Sequence, residues 1–408
     1  TKIAQAIKNV TLISESSTLT TDLLFFDREK QEAFYPYSGT LIDSVNTLKS
    51  KKGTYLIDQS LYRFNNNVTL ENKDFNLTSD RLDYYTKSEV AEFFGPTTII
   101  GDTYTFYFEL GRYETANERG YGKINTRIDY DKRIVKGDSI YFDRFANYAA
   151  SSGNVLVTDS INQTRLKAQY VEVFKEKDSL IATDNAIIAR AIEKDSLYVS
   201  GSYIYITGPE QTRDMSAYPN ARFFKNDMSG KSDSLLYFST SGITELVGRP
   251  VLWSGESQLT GKYMYFTTKV DTGALDSLYV NEQAFIASKD TISEIGFNQA
   301  KGVNLRGKFT DNALSSTLLD KNAEVIYYLY DDKEALIGIN QTSSSSIKID
   351  FDSGEISRIT FLKNPNGTLY PYESFPKEKS TLEGFQWLGD QRANTLVEWL
   401  SRIKQLKK

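Results

Sequence analysis

The sequence predicts an all-β chain, an elongated, solenoid-like stack of short strands that ends in one α-helix. Apolar and polar residues alternate with period two over most of the length, as in Tyr203-Ile-Tyr-Ile206 and Tyr263-Met-Tyr-Phe266, the mark of strands with two unlike faces. A five-residue motif returns about every 30 residues, the sign of stacked units that cannot bury an apolar face alone. Helix-period stripes are nearly absent before the last twenty residues.

The repeat shows first in Val10 to Phe26 against Val68 to Tyr84, two stretches 58 residues apart that share Val-Thr-Leu, a later Leu (Leu19, Leu77) and then Thr, a small hydroxyl residue, Asp, any residue and Leu. Its core is Asp-x-apolar-x-aromatic. Copies are Asp22 to Phe26, Asp80 to Tyr84, Asp102 to Phe106, Asp138 to Phe142 and Asp233 to Tyr237; degenerate copies are Gln169 to Val173, Ser202 to Ile206 and Lys262 to Phe266. From Asp80 onward the starts step by 22, 36, 31, 33, 31 and 29 residues. A second strand family sits between them, at Glu89 to Phe94, Phe145 to Tyr148 and Asn185 to Ile188. Asn65 to Asn67, Ser151 to Gly153, Asn364 to Gly367 and the serine run 343–346 read as turns or loops.

Within a copy, Leu82 and Tyr84 share parity with Asp80, while Arg81 and Asp83 point the other way. This assigns Leu24, Phe26, Leu82, Tyr84, Tyr104, Phe106, Ile140, Phe142, Val171, Val173, Ile204, Ile206, Leu235, Tyr237, Met264 and Phe266 to the interior. The pattern leaves open whether they pack a core or line a ligand site. The recurring Asp, on the same parity at a strand start, is expected to cap a turn by accepting backbone N–H bonds. A calcium role is disfavoured, since no Gly-Gly-x-Gly-x-Asp nonapeptide occurs. At the C-terminus Leu396, Leu400 and Ile403, flanked by Val397, Trp399 and Leu406, predict a helix over 391–406. Lys404, Lys407 and Lys408 suit its dipole. Its expected role is to cap the open end of the stack, with docking to a partner as the alternative.

Composition removes several chemistries. Among 408 residues there is no Cys and no His, so disulfides, thiolate nucleophiles, Cys- or His-bound metal and a Ser-His-Asp triad are excluded. No carboxylate pair stands out for glycoside hydrolysis. No catalytic residue, metal or cofactor is assigned, and the chain is not expected to be an enzyme. A net charge of -5 without a dense basic block argues against nucleic acid as a partner. No run of about 20 apolar residues marks a membrane helix. The opening residues read as the middle of a strand pattern, without a secretory leader.

The segments LTSDRLDYYTKSEVAEFFG and IVKGDSIYFDRFANYAASSGNVLV resemble the OstA-like/LptA family. Asp138, Ile140, Phe142, Ala146, Ala149, Gly153 and Val155 follow the family repeat throughout; Asp80 to Gly95 follows its first two thirds, with Ala91 in the second strand. The resemblance covers at least residues 10–280 and weakens over about 290–380. The stretch from Tyr370-Pro-Tyr372 to Phe385-Gln-Trp387 is similar to the long OstA-like proteins of the Bacteroidetes. It implies an antiparallel β-jellyroll of two facing sheets. Residues 1–290 would form the repeats, 291–385 further jellyroll strands and 386–408 the helix. It also implies a periplasmic bridge between inner and outer membranes that sheaths the acyl chains of lipopolysaccharide on the sixteen inward residues. Partners would be lipopolysaccharide (lipid A acyl chains), other lipopolysaccharide-transport envelope proteins and further copies joined head to tail, Ile3 to Leu12 being one candidate joint. The acidic balance runs against anionic head groups. The rival reading is a secreted or surface β-solenoid that binds or cleaves polysaccharide. An outer-membrane barrel fails on the charges at outward positions such as Arg81 and Asp83.

Overall fold

A computed structural model describes residues 2–405 except 15–16, 193–194, 227, 270–271, 293, 312 and 353–354, with backbone alone at 192 and 355. Leu406, Lys407 and Lys408 of the expected helix lie outside the described residues. The chain forms two compact units, Thr1–Ala182 and Thr183–Lys408.

Unit 1 holds β1 (Ile3–Ile13), β2 (Ser17–Asp27), β3 (Glu32–Tyr35), β4 (Gly39–Asp43), β5 (Asn46–Ser50), β6 (Lys52–Leu56), β7 (Leu61–Asn72), β8 (Phe75–Tyr85), β9 (Val90–Gly101), β10 (Tyr104–Glu114), β11 (Arg119–Tyr130), β12 (Arg133–Asp143), β13 (Tyr148–Asp159) and β14 (Thr164–Phe174); β15 (Ser179–Thr183) ends at the division. The strands between β1 and β14 pair antiparallel in two ladders. One runs from the end of β2 through β3 and β6 to the start of β7. The other runs from the start of β2 through β4 and β5 to the end of β7. From β7 onward every strand belongs to both, because each bends once at its middle, where the register shifts. Phe93 meets Phe108, and Phe106 meets Phe142, between the two sheets.

The bend is written in the backbone. Returning strands carry left-handed residues at Asn66, Gly95, Ile124 and Gly153, a step of 29 residues each time. The outgoing strands bend at Asp22, Lys51, Asp80, Glu109 and Asp138, again 29 apart. The irregular steps of 22 and 36 therefore resolve. Asp102 lies in the hairpin turn between β9 and β10, not at a bend. The true copies, Lys51-Lys-Gly-Thr-Tyr55 and Glu109-Leu-Gly-Arg-Tyr113, are hidden because Gly replaces the apolar residue. That Gly makes room for a ring: a Cβ at Gly53 would fall 2.3 Å from Tyr35, and one at Gly111 2.3 Å from Phe108.

The bend also corrects the place of the recurring Asp. In β8, Phe75 and Leu77 face inward before it and Leu82 and Tyr84 after it, so the alternation slips by one at Asp80. Asp80 leaves the inward row and is exposed. Asp80, Asp138 and Asp233 lie instead against left-handed glycines of the neighbouring strand, Gly95, Gly153 and Gly248. A Cβ at these glycines would come within 2.8, 2.2 and 2.4 Å of the carboxylate. Asp138 Oδ2 accepts from Asn154 Nδ2 at 3.0 Å. The small residue before each Asp fills the inside of the bend; Ser79 is buried and shares a hydrogen bond of 2.9 Å with Thr97.

Several turn signals prove to be bends inside strands. Asn65 to Asn67 lie in β7 and Ser151 to Gly153 in β13. Phe145 to Asn147, expected as a strand, form the hairpin turn before β13.

Unit 2 continues with β16 (Ile187–Ile192), β17 (Asp195–Ser200), β18 (Tyr203–Thr207), β19 (Asp214–Tyr218), β20 (Ala221–Lys225), β21 (Met228–Ser232), β22 (Ser234–Phe238), β23 (Ile243–Val247), β24 (Val251–Ser254), β25 (Ser257–Thr260), β26 (Tyr263–Thr268), β27 (Leu275–Lys289), β28 (Phe297–Thr310), β29 (Ala313–Tyr330), β30 (Leu336–Asp352), β31 (Glu355–Leu362), β32 (Asn366–Tyr370) and α1 (Leu396–Gln405). Its bends are sharp enough to break the strands, so hairpins alternate between sheets. One sheet is β16-β17-β20-β21-β24-β25 and the other β18-β19-β22-β23-β26. Both converge on β27, which pairs β26 with its first half and β25 with its second. The boundary expected near residue 290 falls between β27 and β28, which pair along their length. The serine run 343–346, expected as a loop, lies within β30, where the Ser344 hydroxyl donates to the Leu362 carbonyl at 2.9 Å.

The C-terminal segment is a strap, not an end cap. After β32 it runs back across one face of β29 and β27 and then of the β16–β25 sheet that β27 continues. Leu382, Phe385 and Trp387 pack on Phe285, Ala287 and Ile326. Residues 386–395, expected as helix, hold only a 3-10 turn at Gly389–Gln391. Glu398 accepts from the Asn394 N–H at the start of α1, whose Trp399 and Ile403 pack on Phe224 and Tyr198. Two buried glutamines act as surrogate strand edges. Gln258 Nε2 donates to the Gln386 carbonyl and its Oε1 accepts from the Leu388 N–H, both at 2.7 Å. Gln299 does the same to Ser380 and Leu382, at 2.8 and 2.9 Å.

Candidate lipid-binding trough

Between the sheets of unit 1 lies one continuous apolar lining. Leu82, Phe106 and Ile140 are buried in it, with Tyr84 and Phe142 partly buried beside them. Parity alone therefore brings together five of the assigned residues. Val171 is buried, whereas Val173 and Tyr104 stand 39% and 37% exposed near the strand ends, where the two sheets open to water. At β10, Tyr104 on one half-strand and Tyr113 on the other both feel the charge of Arg144. Burial pushes both phenols up from their usual range.

The lining loosens toward the N-terminus. Before Leu61, Tyr35 and Leu48 are the buried apolar residues among those described. Leu24 and Phe26 are half-buried, as are Leu19 and Leu41. A cavity of about 40 Å³ opens there, lined by Leu19, Leu24, Ala33, Leu41, Tyr62 and Phe64 among others. That is close to the ~30 Å³ share of one water, so a larger occupant would have to part the side chains that line it. Tyr35, Leu41, Tyr62, Phe64, Phe93 and Phe108 were missed as lining residues. Tyr62-Arg-Phe64 and Phe106-Tyr-Phe108 alternate as clearly as the motif strands, and that was the available signal.

The inward residues of unit 2 are differently placed. Met264 is 0% exposed, Ile204 equally so, and Leu235 and Phe266 are buried, with Ile206 and Tyr237 partly so. Phe266 is met edge-on by Phe223 of the opposite sheet, with ring centres 6.2 Å apart. Cross-strand neighbours Leu246, Val280, Leu305, Leu319 and Ile347 complete a closed layer.

The outer surface of unit 1 is ionic. Asp83 is 1% exposed beneath Arg63 and Arg81, at 2.9 and 2.6 Å. Burial alone would raise its carboxyl, but the hydrogen bonds from Arg81 and Arg63 outweigh it and hold the group below the usual range. Asp159 is likewise opposed by burial, yet bonds from Asn162 and Arg133 lower it to about 2. Among the described residues no acidic cluster suited to a metal is present.

Two facing antiparallel sheets, bent from shared strands over an apolar interior, define a β-jellyroll. Residues 1–80 match the family model of OstA-like proteins, and residues 134–272 match that of the LptA/(LptD N-terminal domain) LPS transport protein. The chain belongs to the OstA-like/LptA family of lipopolysaccharide-transport proteins. Among solved structures it is similar to that of LptH, the LptA-homologous periplasmic component of the lipopolysaccharide transport device of Pseudomonas aeruginosa, at 16% identity and a TM-score of 0.27 over 36% of this chain and 99% of that one. No curated protein matches the chain.

Proposed function

We propose that unit 1 sheaths the acyl chains of lipopolysaccharide in the periplasm, and that the chain is one segment of an envelope bridge without catalytic activity. Transfer of acyl surface into water costs about 25 cal/mol per Å², so a carrier needs a lining that is apolar and still reachable. The N-terminal part of unit 1 supplies both, since its inward residues face one another yet keep part of their surface in water. That observation carries the reading. It narrows the sixteen inward residues to those of unit 1, Leu24, Phe26, Leu82, Tyr84, Tyr104, Phe106, Ile140, Phe142, Val171 and Val173.

Bridging is supported by β1. It pairs with β2 along one side and exposes Ile3, Ile7, Leu12 and Ile13, the last at 75%. An apolar edge of this kind templates a further strand. Self-association or docking to another envelope protein through β1 is expected to fall in an Ile7→Lys/Ile13→Lys variant, read by sedimentation. Unchanged association removes β1 as the joint.

The direct test is photocrosslinking in the periplasm. A photoreactive residue at Phe26 or Phe142 is expected to capture lipopolysaccharide, and one at Met264 is not. Capture of polysaccharide without lipid A, or no capture from either unit 1 position, overturns the reading.

A further inference from the structure

We propose that unit 2 holds a phosphate-type oxyanion between Arg222 and Lys231 on the sheet and Gln391 and Arg402 on the strap. Arg222 and Lys231 are direct cross-strand partners on β20 and β21. They share the strap-covered face with Phe224, which lies two residues from Arg222 and packs under α1. Lys231 Nζ donates to Gln391 Oε1, which leaves the Gln391 amide NH₂ as a further donor. Arg402 Nη1 donates to the Asp390 carbonyl at 2.8 Å, fixing its guanidinium beside the same strap turn.

The charge count is what asks for a ligand. Four cations meet here, since Arg222 feels Arg402 and Lys231 feels both Arg222 and Arg249. Arg249 is matched by Asp233 at 3.2 Å and Arg402 by Glu398. Neither Arg222 nor Lys231 has a carboxylate at ion-pair distance among the described residues; Asp233, already paired with Arg249, offsets only part of the repulsion at Lys231, and both cations are half-buried. Burial followed by like-charge repulsion weakens the hold of each on its proton. A guanidinium withdrawn from water beside other cations is unfavourable until an anion restores the balance. Arg222 offers a planar fork, Lys231 a point charge and Gln391 a neutral donor, the set that recognises a phosphate group. An anion so held would join sheet to strap. This inference stands apart from the trough: it concerns the opposite face of a sheet in the other unit.

The test uses the full chain. Thermal stability is measured during titration with inorganic phosphate against chloride at constant ionic strength, and separately with phosphatidylcholine vesicles containing or lacking a phosphomonoester lipid. A ligand bound by the native state alone raises the transition in proportion to its saturation. The general salting effect of phosphate is common to all variants, so the difference between wild type and Arg222→Gln reads the site. Arg222→Gln is expected to fold at least as stably without anion, because a repulsion is gone, and to lose roughly tenfold or more in affinity for the anion. Lys231→Gln is expected to behave alike. A wild-type response to inorganic phosphate alone assigns a free anion, and a response confined to phosphomonoester vesicles assigns a lipid headgroup. No response to either, or an unchanged response in Arg222→Gln, overturns the proposal.

Discussion

Unit 1 and unit 2 bend their chain in the same way, giving alternate segments to two facing sheets, yet water reaches the two interiors differently. In unit 1 the outer surfaces carry ion pairs such as Arg63–Asp83–Arg81, and the inward residues grade from buried at the bend to half-exposed at the mouth. In unit 2 the layer through Leu246, Met264, Val280 and Leu305 is dry, and one sheet is also covered outside by the strap. Strands buried on both faces lose the alternation of their exposure: Val251-Leu-Trp253 and Phe285-Ile-Ala287 are buried without a break. The same topology thus leaves an interior partly open to water in one unit and closes it in the other. The side chains facing the gap and the presence of a strap make the difference.

The sharpest test is truncation of one inward residue from each unit. Leu252→Ala is expected to cost about 3–4 kcal/mol, because a closed layer cannot collapse around the void. Leu24→Ala, at a site already half in water, is expected to cost less than about 1 kcal/mol. Equal shifts in denaturation midpoint would dissolve the contrast.

Acid distinguishes unit 1 through Asp159. Its carboxyl is held at about 2 in the folded state against 3.8 in the free group, so its contribution is present above pH ~4 and disappears as pH falls toward 2. Up to about 2 kcal/mol is at stake. An Asp159→Asn variant is expected to flatten that part of the pH–stability curve. Next, Gln258→Leu removes both bonds to the strap at Gln386 and Leu388 and is expected to cost about 1–2 kcal/mol, with faster hydrogen exchange at the Leu388 amide and none of that change in unit 1.

The smallest effect is a gain. Ile124 is β-branched at φ 65°, where its repeat mates are Asn66, Gly95 and Gly153. Ile124→Asn is expected to stabilise unit 1 by about 1 kcal/mol, read from the unfolding midpoint.

These residues also show what the chain discloses before folding. Strand character, the inward parity of Leu82, Tyr84, Ile140 and Phe142, and the terminal helix were all legible, because period two and period 3.6 are properties of local sequence. The 29-residue register was blurred. Gly53 and Gly111 occupy the apolar place of the motif, and what justifies them is a ring from another strand, Tyr35 or Phe108. Asn66 and Gly153 were legible as reversals of backbone hand but not as bends within a strand, since a left-handed residue is needed for either. The openness of one unit and dryness of the other depend on what lies across the gap and over the back of the sheet. Gln258 and Gln299, which seat a segment more than eighty residues away in sequence, carry no local sign of that task.

The strap gives unit 2 a dependence on order of synthesis. Its first strands, β16 and β17, receive their cover from Trp399 and Ile403, which follow every strand of the sheet along the chain. A chain halted before residue 370 has every strand of the β16–β25 sheet in hand but leaves Phe224, Phe285 and Ile326 wet on one side. During folding that half-dressed sheet is the stage most open to aggregation, and a protease or chaperone that recognises greasy surface has its opportunity before the helix docks.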